Sequence, residues 1–131
     1  MAKDTAKNSE KDERPDVWIG HVSLATPDVK AMCDFVVRLG MRRIFEGDGI
    51  AVLELRGGTH LLLTASDEPA SGLAYFDLMV EDLDASHARL REMGCRPSQI
   101  ESREFHSSFT VDAPSGHTIK FNSTHVSDLP V

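Results

Sequence analysis

The feature that most constrains this chain is that its sequence can be laid on itself. GHVSLATPDVKAMCDFVVRLGMR (Gly20 to Arg42) aligns without gaps on AYFDLMVEDLDASHARLREMGCR (Ala74 to Arg96). Leu24 falls on Leu78, Asp28 on Asp82, Ala31 on Ala85, Gly40 on Gly94 and Arg42 on Arg96. Elsewhere in the aligned run identity is lacking. What makes the repeat is that each half follows the same structural recipe.

Each copy opens with a strand, WIGHVSLAT and then LAYFDLMV. In these, Val22 and Leu24, or Phe76, Leu78 and Val80, alternate with His21 and Ser23, or Tyr75 and Asp77. A helix follows each. The first is expected to take Thr26 as N-cap with Pro27 in its first turn, and to bury Met32, Phe35, Val36 and Leu39. The second takes Asp82 as N-cap and presents Leu83, Leu90 and Met93. Gly40 and Gly94 stand where a left-handed cap is wanted.

Three shorter strands close each unit. In the first copy they are MRRIFEG, IAVLELR and THLLLTAS, joined by the Gly-Asp-Gly and Gly57-Gly58 turns. In the second they are SQIESRE, SSFTVDA and HTIKFNS, the last two joined by the Pro-Ser-Gly turn at 114–116. The chain is thus α+β: two tandem βαβββ units at about 17–66 and 72–126. Together they make a single domain over 17–131, preceded by a charged tail at 1–16 too poor in apolar residues to order itself.

Composition narrows the partners. A net charge of -7 argues against nucleic acid or an anionic membrane surface, and no apolar run approaches the ~20 residues of a membrane helix. Cys33 and Cys95 lie far from any CxxC or zinc spacing and read as buried thiols, which with the absence of a signal peptide points to the cytoplasm.

The runs HVSLATPDVKAMCDFVVRLGM, LELRGGTHLLL, FDLMVEDLDASHARLREMG and FTVDAPSGHTIKF together resemble the vicinal oxygen chelate superfamily. That superfamily groups glyoxalase I, extradiol dioxygenases and bleomycin- and fosfomycin-resistance proteins. The resemblance implies an open, cup-shaped mixed sheet with helices on its outer face, a small-molecule ligand and a homodimer. The metal positions of such proteins, carried over one by one, fall on His21, Leu62, Tyr75 and Lys120. Leucine offers no lone pair and lysine repels a cation, so the family pattern implies no metal centre and no cofactor is expected. A rearranged site holding a divalent metal through His21, His60 and one carboxylate is the alternative.

The strand alternation sorts polar side chains onto the face away from the helices. His21, Glu54, Arg56, His60, Tyr75, Asp77, His106, Lys120 and Asn122 fall there together with Ser23, Leu62, Ser108 and Thr110. Convergent polar groups in a concave site mark a ligand pocket. His21, Asp77 and Tyr75 are the candidate catalytic groups, for proton transfer next to a carbonyl. His60, Glu54, Arg56, His106, Lys120 and Asn122 are the candidate substrate contacts. Asp77, an acid in the apolar run FDLMV, demands a partner if buried, and Glu54 has Arg56 within reach on its own strand.

Three functions are compatible with this reading. One is a glyoxalase-like or bleomycin-resistance-like protein binding a small oxygenated metabolite, with acid–base isomerase or lyase activity. The second is a metal-dependent lyase or dioxygenase on the rearranged site. The third is a protein that binds or sequesters a small molecule without turnover.

Overall fold

The structure is a computed structural model that describes residues 12–131. The first eleven residues of the expected charged tail lie outside the described residues.

The first unit runs β1 (His21–Thr26), α1 (Val29–Leu39), β2 (Arg42–Glu46), β3 (Ile50–Glu54) and β4 (His60–Ala65). The second runs β5 (Leu78–Val80), α2 (Leu83–Glu92), β6 (Glu101–Ser102), β7 (Ser107–Asp112) and β8 (Thr118–Ser123). Each unit forms its own four-stranded mixed sheet, in the orders β1-β4-β3-β2 and β5-β8-β7-β6. The same order in both halves is the repeat made visible. In each sheet the first strand pairs parallel with the last, and the remaining pairings are antiparallel. Neither sheet closes into a barrel.

Alternation decides which face each helix covers. Leu24, Ala51, Leu53, Leu61 and Leu63 point under α1, where they meet Met32, Cys33, Phe35 and Val36. Phe109, Val111, Ile119 and Phe121 do the same beneath Leu83 and Leu90 of α2, with Phe109 and Phe121 stacked at 5.0 Å. Leu53, Leu61 and Leu63 have no exposed surface. Burying a leucine fully stabilises by roughly 1.5–3 kcal/mol, so this layer sets both the register of β3 and β4 and the face left to the polar residues.

The helix ends differ from expectation in one respect. Asp28, not Thr26, caps α1: its carboxylate accepts from the Ala31 N–H at 3.0 Å. Thr26 is buried instead, and its hydroxyl accepts from the Asp28 N–H. Pro27 therefore precedes the cap rather than following it. An ionised acid three residues before a free N–H outcompetes a hydroxyl further back. Asp82 caps α2 in the same way at 2.9 Å, as its alignment with Asp28 demands. Gly40 and Gly94 carry the positive φ expected of them.

The strand expected over 73–80 is the larger departure. Only Leu78–Val80 is regular, after an isolated parallel bridge between Leu73 and Thr118. Leu78 pairs with Phe121, so five steps along this segment face three along β8. The two surplus residues cannot stay in the ladder, and the stretch 74–77 arches out of it. The strand expected over 98–104 likewise shrinks to Glu101–Ser102.

Candidate functional site

Three pairings assemble one row across the first sheet. His21 pairs with His60, His60 with Glu54, and Glu54 with Arg42. Paired residues point the same way, and the neighbouring positions in β3 and β4 are the leucines under α1. The row therefore stands on the face that no helix covers.

Side-chain contacts run along it. Arg42 Nη2 lies 3.0 Å from Glu54 Oε1, and Glu54 Oε2 lies 3.0 Å from His60 Nε2. The His21 and His60 rings meet edge to face, 6.0 Å between centroids. Glu54 and His60 are half-buried, whereas His21 and Arg42 are exposed. A carboxylate can only accept, so the Nε2 of a neutral His60 carries the hydrogen and donates it to Glu54. Its Nδ1 keeps a lone pair. Glu54 thus fixes both the tautomer and the ring plane of His60, while Arg42 holds the other carboxylate oxygen.

Sequence reasoning placed His21, His60 and Glu54 on one face, and the structure brings these three together. It missed Arg42, which alternation along MRRIFEG would have put on the same face. Arg56 was expected beside Glu54, but it sits in the 3-10 turn Arg56–Gly58 after β3 and pairs with Glu81 at 2.9 Å. The turn ends the strand alternation at Glu54, which is why Arg56 leaves the row.

Tyr75 and Asp77 fall in the arched segment 74–77. Tyr75 is 99% exposed. Asp77 is exposed as well, so the buried acid that would demand a partner does not arise. No hydrogen bond or ion pair joins either residue to His21 among the described residues.

On the second sheet, Thr110 pairs with Lys120 and Ser108 with Asn122. Lys120 is half-buried and makes no ion pair among the described residues. Asn122 is almost wholly buried, and both its Oδ1 and the Nδ1 of His106 are buried without a hydrogen-bond partner. His106 lies 5.2 Å from His125, ring to ring. Buried polar atoms without a partner are unusual in a folded chain.

The residues present do not suit the divalent metal that the fold's relatives often carry. No group of three or more His, Cys, Asp or Glu capable of holding a metal occurs among the described residues. His21, His60 and Glu54 would be the nearest set, but both oxygens of Glu54 are engaged, one of them by a guanidinium that repels a metal cation.

Paired βαβββ units with an uncovered polar sheet face define a glyoxalase-type fold. The sequence matches the Glyoxalase/Bleomycin resistance protein/Dioxygenase superfamily over residues 18–121. The chain belongs to that superfamily. Its fold is similar to lactoylglutathione lyase from Agrobacterium tumefaciens, with TM-score 0.73 and 16% identity over 88% of this chain and 100% of that one. It is similar to the oxidase ChaP-H2, with TM-score 0.69 and 21% identity over 84% and 95% of the two chains. It is also similar to TnmS3, an antibiotic binding protein from a Streptomyces species, with TM-score 0.66 and 19% identity over 85% and 98%. At these identities the likeness concerns the fold alone. No curated protein matches the sequence.

Proposed function

We propose that this chain is a cytoplasmic acid–base enzyme that binds a small anionic, oxygenated metabolite and moves a proton next to its carbonyl. The observation that carries the reading is the Arg42–Glu54–His60 relay, in which His60 is held by Glu54 with its Nδ1 lone pair unused. His60 is the general base. Glu54 positions it and stabilises the imidazolium formed when the proton arrives. His21, beside it, donates a hydrogen bond to the substrate oxygen as charge develops there.

Lys120, with Thr110 beside it, supplies the cation that receives the substrate's carboxylate. Lys120 is on the second sheet and His60 on the first, so the reading includes a homodimer in which one copy's first sheet faces the partner's second sheet. Supporting it, large apolar side chains flank the row on the same uncovered sheet: Phe45 is 54% and Ile50 39% exposed. In monomeric proteins such side chains seldom cluster without a covering surface.

Incubating the protein in D2O with a panel of small α-hydroxy and α-keto acids, followed by proton NMR, tests this. The reading expects one class to lose its proton adjacent to the carbonyl. Substrates that bind saturably yet exchange no proton would leave the second reading, binding without turnover. That reading draws on Trp18 and Phe105, 71% and 78% exposed, which can stack on a ligand.

A further inference from the structure

Nine arginines occur in the sequence. Five have a carboxylate partner: Arg14, Arg42, Arg43, Arg56 and Arg103. The four that pair with no carboxylate among the described residues are Arg38, Arg89, Arg91 and Arg96. All four lie in the last turns of the two helices or just beyond. In a chain of net charge -7, such segregation of cations is not expected of a randomly mixed surface.

Two of the four have a structural task. Arg38 donates to the Met93 carbonyl at 3.2 Å, and Arg89 donates to the Arg38 carbonyl at 2.5 Å, so each helix end is tied to the other. The last carbonyls of α2 are further satisfied by the N–H groups of Met93, Gly94 and Cys95. Arg91 and Arg96 cap none of these carbonyls. Neither makes a side-chain hydrogen bond among the described residues.

These two arginines line an open groove of about 310 Å³ together with His87, Cys95, Pro97 and Gln99. His87 and Arg91 are four residues apart and share one face of α2. The His87 ring is fixed, since Nε2 lies 2.9 Å from the Ser98 carbonyl and must donate to it, and the ring packs edge-on against Phe109 at 5.0 Å. The Ser98 side is held in turn, with its hydroxyl accepting from the Thr110 N–H at 2.8 Å and its N–H donating to the Thr110 carbonyl. The groove therefore has one braced wall, and its lining includes two arginines that make no side-chain hydrogen bond among the described residues, together with Gln99. No carboxylate lines it.

We propose that this groove is a second binding site, separate from the polar sheet face, and that it takes a small phosphate-bearing molecule. Two guanidinium groups offer paired N–H donors that match phosphate oxygens bidentately. The Gln99 amide adds a neutral donor. The volume accommodates a phosphate with a small organic substituent, within the lower range of ligand pockets. The proposal does not depend on the proton-transfer reading of the sheet face.

The test is calorimetric titration of inorganic phosphate and pyrophosphate into the full chain at constant ionic strength. Wild type, Arg91→Gln/Arg96→Gln and Lys120→Gln are compared, and backbone amide shifts are recorded for wild type. Saturable binding is expected, weakened about tenfold or more in the double arginine variant and unchanged in Lys120→Gln, with amide shifts confined to 87–99. If the double variant fails to fold, the wild-type shift map decides alone. The proposal is overturned by absence of saturable binding, by equal binding in the double variant, or by shifts and losses that follow Lys120 instead.

Discussion

The Ser115 hydroxyl lies 2.8 Å from Nδ1 of His117, and both side chains are buried in the turn between β7 and β8. Where Nδ1 carries no hydrogen, the hydroxyl donates to it. The same turn holds the segment between the two units, because the Ser115 carbonyl accepts from the Ala70 N–H at 3.1 Å. Burial lowers the His117 pKa below its ordinary 6.5, since a charged ring loses hydration there. In the unfolded chain the ring binds its proton near 6.5, so the unfolded state holds more protons just below that pH. Its contribution to stability is complete above 6.5 and is lost as pH falls toward the folded-state pKa. Urea unfolding midpoints should therefore rise with pH up to about 6.5 and then flatten, and His117→Gln should reduce that slope. An unchanged slope in the variant would assign it to other groups.

Gly116 in this turn has φ +95°, and a Cβ there would stand 2.2 Å from the Ala70 carbonyl oxygen. That oxygen is backbone and cannot swing aside. Gly116→Ala should cost about 1–3 kcal/mol, read as a lowered denaturation midpoint. Gly94→Ala, with φ +87° and open space around the added carbon, should cost less. Equal losses would mean that conformation alone, not the contact with Ala70, sets the penalty.

Leu61 and Leu53 are paired across β3 and β4 with no exposed surface. Truncating Leu61 to alanine should destabilise by about 2–5 kcal/mol, measured by chemical denaturation. A loss under about 1 kcal/mol would mean that the layer beneath α1 collapses readily around the gap.

Arg42 and Glu54 form a partner pair in which the arginine is 75% exposed. Arg42→Gln should change stability by no more than about 1 kcal/mol. It should nevertheless slow proton exchange several-fold with little change in substrate affinity, because its effect passes through Glu54 to His60. A matching loss of affinity would make Arg42 a substrate contact instead.

The sequence made the architecture legible because the repeat supplies each element twice. Leu24 and Leu78, or Asp28 and Asp82, constrain one another's placement, and burial in the first sheet follows the alternation read from Val22 to Leu63. His21, His60 and Glu54 were found on one face for the same reason: strand period fixes face without any knowledge of contacts. Pairing was not legible. That Glu54 meets Arg42 rather than Arg56 depends on the register of β2 against β3 and on where the turn at Arg56 begins. Tyr75 and Asp77 keep the exposed side of the alternation in LAYFDLMV, but their leaving the ladder was not legible, because the two surplus residues appear only when the segment is counted against β8. The groove beside α2 was invisible for a further reason. The charge pattern of ASHARLREMGCR reads as a solvated helix face until the helix end is seen to be capped by other groups.

The most direct test of the account follows loss of the substrate's proton to D2O by NMR in wild type, His60→Gln and Glu54→Gln, with binding measured on the same samples. The account predicts that His60→Gln slows exchange by about a hundredfold or more while affinity changes little, and that Glu54→Gln falls between that variant and wild type. Exchange at the wild-type rate in His60→Gln would contradict the assignment of His60 as the base and, with it, the function proposed for the row.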